Sequence, residues 1–292
     1  FSYKVTNMIT NEQFKNEVQL IIANAVREDV GDGDHSSLAC IPSDAIGKAK
    51  LIIKDNGIIA GISFAKQVFQ YVDPNLKVEI LITDGAKVKF GEIAFYVEGS
   101  KQSILKAERI VLNAMQRMSA IATKTQSYVE ILKGTNTKIL DTRKTTPGFR
   151  ALEKWAVAIG GGVNHRFALY DMIMLKDNHI DFAGGITKAI SMSKEYLKKN
   201  QLDLQIVVEA RDLDEIQEIL NNEGVYRILI DNFNYTDTQK AIELIGDQCL
   251  TESSGGIDEV TLRHYAECGV NYISSGALTH SVSNMDLSLK AV

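Results

Sequence analysis

The stretch QIVVEARDLDEIQEILNNEGVYRILID, Gln205 to Asp231, contains two short apolar runs with an amphipathic segment between them. The runs, QIVVEA and RILID, are continuously apolar, which is typical of strands that are buried on both faces of a parallel sheet. They end in Glu209 and Asp231, 22 residues apart, and that interval is about the length of one strand-helix unit. The stretch therefore predicts two neighbouring parallel strands joined by an outer helix.

The same pattern extends to both sides of this stretch. Short apolar runs recur as KILD, MIMLK, QIVVEA, RILID, CLTES and NYISSG. The polar residues at their ends are Asp141, Lys176, Glu209, Asp231, Glu252 and Ser274-Ser275-Gly276. In a β/α barrel, polar residues at the carboxyl ends of the strands build one active face. An open doubly wound sheet is the alternative, but no GxGxxG follows a strand and the polar residues recur after every strand. We therefore predict a β/α barrel.

The first third of the chain has a different character. NEQFKNEVQLIIANAVRED predicts an amphipathic helix, and the apolar runs on either side of Asp55-Asn56-Gly57 predict a β-hairpin. Alternating segments with glycine turns follow as far as Ser100. A long helix is then predicted from Ser103, ending at Gly134. These patterns indicate a small α+β domain before the barrel.

The composition is that of an ordinary soluble globular protein. The chain has 292 residues, of which 45% are hydrophobic and 24% charged, with a formal net charge of -5. An acidic chain is not suited to broad nucleic-acid binding, so an anion site must be a local group of cations. The sequence shows no run of membrane-spanning length and no signal-peptide pattern. Its three distant cysteines, Cys40, Cys249 and Cys268, suit a reducing compartment. We expect a cytoplasmic enzyme or small-molecule binding protein, without nucleic-acid or membrane partners.

Cations gather near the predicted strand ends. Three segments carry them: ILDTRKTTPGFR, residues 139–150, GGGVNHRFALYD, residues 160–171, and the run MIMLK, which ends in Lys176. Barrel geometry would bring to one rim Arg143, Lys144, His165, Arg166 and Lys176. Because guanidinium groups bind carboxylate or phosphate bidentately, this rim is predicted to hold a polyanion. Taken alone, the Arg-Lys pair also suits a solvated loop, and Arg150 suits either a helix cap or a solvent-facing side chain.

Glycine-rich loops follow the last two predicted strands. SSGG, Ser253 to Gly256, and SSGALTH, Ser274 to His280, predict phosphate binding through backbone N–H groups, with ordinary turns as the alternative. Gly160-Gly161-Gly162 suits either a helix stop or a close approach of backbone to a ligand. Glu209 and Asp231 suit either structural acids at helix starts or groups that bind sugar hydroxyls and position Mg²⁺.

The motifs together resemble the quinolinate phosphoribosyltransferase family, in collinear order from about residue 20 to the C-terminus. They are EDVGDGDHSS, AERIVLNAMQRMSAIAT, DTRKTTPGFRALEKWAVAIGGGVNHRFALYDMIMLKDNHI, VVEA, ILIDNF, ESSGGI and YISSGALTHS. The resemblance implies an α/β fold: an incomplete β/α barrel, residues 112–278, and an N-terminal α/β sandwich domain completed by the C-terminal tail, residues 1–111 and 279–292. It also implies a homodimer in which Arg109 is donated across the interface.

The implied reaction transfers phosphoribosyl from phosphoribosyl pyrophosphate to quinolinate with decarboxylation, giving nicotinate mononucleotide, pyrophosphate and CO₂ in NAD biosynthesis, with Mg²⁺. The implied quinolinate pocket comprises Arg109, Arg143, His165, Arg166 and Lys176. The implied 5′-phosphate and pyrophosphate region comprises Ser254, Gly255, Gly256, Gly276 and His280. The implied catalytic residues are Lys144, Lys176, Glu209 and Asp231, of which the two acids lie near the ribose and the metal. Thr146 departs from the family, in which many members carry Leu before the Pro-Gly turn.

Two other functions remain open from the sequence. A related enzyme would transfer the same group to nicotinate without decarboxylation, but it would need one carboxylate clamp, whereas this chain offers cations for two. A barrel without catalytic activity could instead bind a phosphorylated metabolite as a carrier or sensor. Loss of the cationic set would favour that second function, and the set is intact in this sequence.

Overall fold

A computed structural model of the chain describes residues 11–292, so the first ten residues of the predicted sandwich domain lie outside the described residues. The helices are α1 (Asn11–Val30), α2 (His35–Cys40), α3 (Ile62–Val72), α4 (Lys101–Ile131), α5 (Arg150–Ile159), α6 (Asp177–Ala183), α7 (Ile186–Asn200), α8 (Leu213–Leu220), α9 (Tyr235–Ile245), α10 (Leu262–Glu267) and α11 (Ala277–His280). The strands are β1 (Ile46–Ile53), β2 (Gly57–Ile58), β3 (Lys77–Ile80), β4 (Lys87–Val88), β5 (Ile93–Ser100), β6 (Lys138–Leu140), β7 (Ile173–Leu175), β8 (Ile206–Ala210), β9 (Arg227–Asp231), β10 (Leu250–Ser254), β11 (Tyr272–Ser274) and β12 (Leu287–Ala291).

A parallel sheet forms the C-terminal part of the described residues. Its strands lie in the order β6-β11-β10-β9-β8-β7, and every neighbouring pair is parallel. From β7 to β11 each strand lies beside its predecessor in the chain, so the order never reverses as it does in a doubly wound sheet. The sheet has β6 and β7 at its edges. The predicted incomplete β/α barrel is therefore confirmed, and the doubly wound alternative is wrong.

The barrel strands are apolar throughout because both of their faces are covered. All five residues of β8 are buried. Val208 and Ile228 belong to a cluster with the outer helices, whereas Val207 and Leu229 pack with Met174 on the opposite face. With one face against helices and the other inside the barrel, neither face needs polar residues. The polar residues are left to the strand ends.

The N-terminal sheet is antiparallel, and the C-terminal strand completes it. Its order is β12-β1-β5-β3, with Leu51 opposite Leu289 on one side and opposite Phe95 on the other. These residues share one hydrophobic core with α3, α4 and α5. The predicted sandwich domain completed by the tail is thus confirmed. The predicted boundaries, 111/112 and 278/279, fall within α4 and α11 and stay predictions.

The hairpin predicted at Asn56-Gly57 is wrong. β2 pairs with β4 instead of β1. The Asn56 side chain accepts a hydrogen bond from the Phe90 N–H at 3.0 Å, and the Ile58 N–H donates to the Thr123 hydroxyl on α4 at 2.8 Å. The turn therefore directs the chain onto α4, and tertiary contacts override the local hairpin preference. Among the described residues, none of the helices has the length and apolarity needed to cross a bilayer.

The docking of β12 gives a prediction for stability. Leu287→Ala should lower the free energy of unfolding by about 2–5 kcal/mol, because the truncated side chain leaves a cavity in the core. Leu287 is 3% exposed, and it pairs with Ile53. The measurement is the midpoint of urea unfolding. Lys290→Ala, an exposed position on the same strand, is the control and should change the free energy by no more than about 0.5 kcal/mol. Equal midpoints for both variants would contradict the prediction.

Candidate active site

A pocket opens at the carboxyl ends of the barrel strands. Its volume is about 670 Å³. The predicted site residues that line it are Arg143, Lys144, His165, Arg166, Lys176, Asp231, Ser254, Gly255, Gly256, Gly276 and His280. Residues from loops far apart in sequence thus meet at one rim. Two predicted residues lie outside the lining: Glu209 is buried beside Lys176, and Arg109 is exposed on α4.

Several lining residues stand outside the predicted binding and catalytic sets. They are Thr142, Asn232, Glu252, Ser274, Ser275 and Ala277. Glu252, Ser274 and Ser275 stand among the polar residues noted at the strand ends, and Ala277 lies in the segment SSGALTH. Asn232 directly follows β9, and Thr142 lies just beyond β6, but neither was singled out from the sequence. What the sequence did not show is which of two adjacent residues faces the pocket.

Asp141 anchors the loop after α5, although its own side chain does not line the pocket. Its fully buried carboxylate accepts from the Lys154 ammonium at 2.5 Å, the Asn164 amide at 2.6 Å and the His165 N–H at 2.7 Å. Lys154 also donates to the His165 carbonyl at 3.1 Å. One buried ion pair therefore fixes the backbone from which the histidine and the following arginine enter the pocket.

The ring of His165 is held at both nitrogens. Nδ1 accepts from the Arg166 N–H at 2.8 Å, so this nitrogen carries no proton. Nε2 lies 3.1 Å from a carboxylate oxygen of Glu252 and therefore donates its proton there. Both ring nitrogens are therefore engaged by protein groups, and neither is available to a ligand. The ring therefore forms part of the pocket wall without offering a free nitrogen.

Glu252 forms a buried charge network in the barrel interior. Its carboxylate is fully buried and accepts from the Arg227 guanidinium at 2.6 Å as well as from His165. Burial alone would raise the pKa of Glu252, but His165 and Arg227 outweigh it and lower that pKa to about 2. The guanidinium carbon of Arg227 also lies 4.4 Å from the ring centre of Tyr272. The acid therefore stays ionised at neutral pH.

Two guanidinium groups share one side of the pocket. Arg166 is buried, and it donates to the Met172 carbonyl at 3.0 Å. Burial, followed by the charge of Arg143, lowers the pKa of Arg166. Among the described residues, the ion pairs near the pocket engage Lys176 but neither Arg143 nor Lys144. The charge of Asp171 acts in the opposite direction on the pKa of Arg166 but is the smallest of the three effects. Neighbouring cations whose positive charge is not fully matched favour an anionic ligand.

Lys176 and Glu209 form the pair at the other side. The ammonium lies 3.2 Å from one carboxylate oxygen, and the other oxygen accepts from the Asp177 N–H at 3.3 Å. Glu209 is the last but one of the five buried residues of β8, while Lys176 is half-exposed. The pair joins the strand end to the start of α6, and it leaves the lysine at the pocket rim.

The glycine-rich loops are shaped by close backbone approach. A side chain on Gly255, whose φ is +103°, would place its Cβ 2.1 Å from the Asn232 side-chain oxygen. Asn232 has a φ of +59°, and its amide donates to the Asp231 carboxylate at 2.6 Å. A Cβ on Gly276 would lie 2.8 Å from Lys144 and 2.9 Å from His280. Glycine at these two positions therefore allows Asn232 to approach one loop and allows Lys144 and His280 to approach the other.

Two open interpretations are now settled. Gly160 ends α5, and its Cα packs so closely against α4 that an added Cβ would lie 2.5 Å from the Ala122 carbonyl oxygen. The three glycines therefore stop a helix and do not approach the pocket. Arg150 donates to the Thr145 hydroxyl at 2.9 Å and to the Phe167 carbonyl at 3.2 Å. It connects two loops, so neither predicted role for it is correct.

Comparison with known proteins assigns this arrangement to a family. The family described as "Quinolinate phosphoribosyl transferase, N-terminal domain" matches residues 34–119, and "Quinolinate phosphoribosyl transferase, C-terminal domain" matches residues 121–290. The chain belongs to the quinolinate phosphoribosyltransferase family. The two matches meet inside α4, the helix that packs against elements of both sheets.

Individual relatives agree with the family. A protein of Oryza sativa subsp. japonica, named nicotinate-nucleotide pyrophosphorylase (carboxylating), chloroplastic, is 46% identical over 94% of this chain and 77% of its own length. The Nicotiana tabacum protein named quinolinate phosphoribosyltransferase (decarboxylating) 1b is 44% identical over 92% of this chain and 81% of its own. Because the rice protein is named as chloroplastic, the cytoplasmic location of this chain stays a prediction.

Solved structures show the same fold. The nicotinate-nucleotide pyrophosphorylase from Francisella tularensis superposes with a TM-score of 0.87, at 35% identity over 95% of this chain and 96% of its own. The enzyme of that name from Ehrlichia chaffeensis gives 0.85, at 32% identity over 97% and 99%. Human nicotinic acid phosphoribosyltransferase gives 0.59 at 11% identity, over 94% of this chain and 74% of its own, and so shares the fold alone.

The Glu252 network gives a pH-dependent prediction. Glu252→Gln should destabilise the fold at about pH 7 by about 3–5 kcal/mol, because it leaves the Arg227 charge buried without its carboxylate. The pKa falls from 4.5 to about 2 on folding, so the stabilisation by the carboxylate is complete above pH 4.5 and is lost as the pH falls towards 2. The difference in the free energy of unfolding between wild type and variant should therefore shrink across that window.

Urea unfolding of both proteins at several pH values measures this difference. Glu267→Gln is the matched control, because it removes a carboxylate from an exposed pair with Arg263. Its effect on the free energy of unfolding should stay within about 1 kcal/mol at every pH. A Glu252→Gln effect that is the same at both ends of the window would show that the carboxylate is not held ionised by its partners.

Proposed function

We propose that the protein transfers the phosphoribosyl group of phosphoribosyl pyrophosphate to quinolinate and releases pyrophosphate and CO₂, giving nicotinate mononucleotide. The observation that carries the proposal is the pair of guanidinium groups, Arg143 and Arg166, on one side of the pocket. The charge of Arg143 lowers the pKa of Arg166, and Lys144 and Lys176 line the same pocket. A ligand with two adjacent carboxylates matches that set, and the names of the relatives refer to quinolinate.

The two ends of the pocket suit the two substrates. Arg143 and Arg166 bind the two carboxylates of quinolinate bidentately. Lys176 lies at the rim of the pocket, and His165 forms part of its wall. The backbone N–H groups of Gly255, Gly256 and Gly276, residues that line the pocket, suit the phosphates, and His280 lines the pocket with them. The Lys144 side chain lies close to Gly276, so this lysine is beside the phosphate end of the pocket while its neighbour in sequence, Arg143, is assigned to the carboxylates.

The reaction needs positioning and charge, and no covalent nucleophile. The bond between ribose C1′ and pyrophosphate breaks, and pyrophosphate leaves with the electron pair while positive charge develops on the ribose. The pyridine nitrogen then forms the new bond to C1′. The resulting pyridinium stabilises the electron pair left on the ring when the neighbouring carboxylate departs as CO₂, and a proton takes that position. Lys144 stabilises the charge on the leaving group.

Two carboxylates are suited to Mg²⁺. Asp231 lines the pocket, Glu209 lies beside Lys176, and Mg²⁺ is commonly held by one or two carboxylates together with substrate phosphates. No cluster of three or more ligating side chains occurs among the described residues, so the phosphates would supply the remaining ligands. When bound, the ion would neutralise charge on the departing pyrophosphate. Until phosphates arrive, Lys176 offsets the charge of Glu209.

The proposal includes a homodimer in which Arg109 reaches the pocket of the partner subunit. Arg109 is exposed on α4, outside the lining of the pocket in its own chain. A third arginine from the partner would add positive charge to a site that already suits a dianion. It would also close one side of the pocket to water, which strengthens electrostatic interactions inside.

The test of this function is product formation from purified protein with phosphoribosyl pyrophosphate and Mg²⁺. Quinolinate should give nicotinate mononucleotide with one CO₂ released per turnover, and omission of Mg²⁺ should reduce the rate. Nicotinate in place of quinolinate should give no product. Arg143→Ala should lower kcat/KM for quinolinate by about 100-fold or more, because a charge-assisted bidentate contact is lost.

Arg263→Ala is the control variant, since it removes the same charge from α10, outside the pocket lining. Its kcat/KM should remain near that of the wild type. Turnover of nicotinate at a rate comparable to quinolinate would favour the transferase without decarboxylation. Normal turnover by Arg143→Ala would mean that the dianion site lies elsewhere.

The dimer is tested by mixing two inactive variants, Arg109→Ala and Lys144→Ala. If Arg109 acts across the interface, random reassociation should restore about a quarter of wild-type activity, since half of the dimers are mixed and each mixed dimer has one intact site. If Arg109 acts within its own chain, every site in the mixture lacks one group and no activity returns. Each variant alone, taken through the same dissociation and reassociation, is the control.

A further inference from the structure

A ring of hydrogen bonds joins two loops that line the pocket. The first loop, residues 142–149, carries Lys144, and the second, residues 275–281, carries Gly276. Four residues close the ring without lining the pocket themselves: Arg117, Thr146, Glu153 and Thr279. We name these four residues the loop clamp. None of them was identified as a site residue from the sequence.

Glu153 is the centre of the loop clamp. Its carboxylate, on α5, is fully buried. One oxygen lies 3.0 Å from both the Nε and an Nη of Arg117 on α4, and it also accepts from the Thr146 hydroxyl at 2.8 Å. The other oxygen accepts from the Thr146 N–H at 3.1 Å. A single carboxylate therefore holds a long helix and the first loop together.

The second half of the loop clamp returns to the first loop. The same Nη of Arg117 donates to the carbonyl of Thr279. Thr279 is fully buried, and its hydroxyl donates to the carbonyl of Lys144 at 2.8 Å. Lys144 lies two residues before Thr146, so the ring closes.

The energetics of burial make this arrangement rigid. Removing a carboxylate from water is costly unless charge and hydrogen bonds compensate, and every contact made by Glu153 in the ring does so. A shift of either loop would break at least one bond to the buried groups of Glu153 or Thr279. The relative position of the two loops is therefore fixed before any substrate binds.

We propose that the loop clamp positions the two substrates against each other. This rests on the proposed function, which assigns Arg143 of the first loop to quinolinate and Gly276 and His280 of the second to phosphoribosyl pyrophosphate. The pyridine nitrogen and ribose C1′ react only when held in near-attack geometry, and a misplacement of about 1 Å costs up to about 100-fold in rate. The loop clamp therefore acts mainly on kcat and little on the KM of either substrate.

The test uses Thr146, because its replacement leaves the charges of Arg117 and the buried Glu153 paired. Thr146→Val keeps the shape of the side chain but removes the hydroxyl, and it should lower kcat about tenfold, with each KM within about twofold of wild type. Thr146→Ser keeps the hydroxyl and should stay within about twofold in kcat. Thr135→Val is the control, since its hydroxyl also donates at 2.8 Å, to the Leu132 carbonyl beyond the end of α4, and kcat should not change.

Amide hydrogen exchange without substrates provides a second readout. In Thr146→Val, residues 142–149 and 275–281 should both exchange faster than in wild type, because one carboxylate connects them through Arg117. Thr135→Val should leave both segments unchanged. Unchanged exchange at 275–281, or a wild-type kcat in Thr146→Val, would overturn the proposal, as would a rise in KM at constant kcat. Failure of the wild type to convert quinolinate would overturn the proposed function, while exchange would still decide whether the loops are coupled.

Discussion

The buried ion pair between Asp141 and Lys154 is the interaction on which the pocket depends. Both side chains are fully buried, so their charges are tolerated only because each is satisfied by the other and by the loop at residues 164–165. The pair lies at the end of β6 and fixes the start of the segment that supplies His165 and Arg166. A neutral residue at either position would leave a buried charge alone, a loss of the kind that typically costs about 3–5 kcal/mol.

The same principle recurs around the pocket with different partners. Asp141, Glu153 and Glu252 are all fully buried acids, and each has a cation of its own: Lys154, Arg117 and Arg227. These acids are thereby neutralised before they can pair with the cations that line the pocket. Arg143 and Lys144 remain available to a ligand for that reason. An acidic chain can thus present a cationic site, because its interior acids are matched one by one with interior cations.

Much of the fold and of the site could be predicted because both follow from strand ends. Continuous apolar runs predict parallel strands, and the residues after them, such as Arg143, Asp231 and Gly255, must meet at one edge. The hairpin at Asn56-Gly57 was wrong because Thr123 on α4, distant in sequence, decides where that turn leads. Glu209 was expected at the pocket, but it pairs with Lys176 and does not line the pocket, and no sequence pattern shows that pairing. The loop clamp was missed because its partners come from four separate segments, and no local pattern joins Arg117 to Glu153.

The pairing of β1 with β12 has a consequence for the order in which the protein is made. β1 emerges early during synthesis, but the strand that covers its edge follows the whole barrel. The barrel can assemble from neighbouring strand-helix units as they are synthesised. The edge of β1 in the first sheet stays unpaired until β12 has been synthesised. The domain that begins the chain is therefore the one completed last, and it is in this interval that a nascent chain is most exposed to mispairing with another copy.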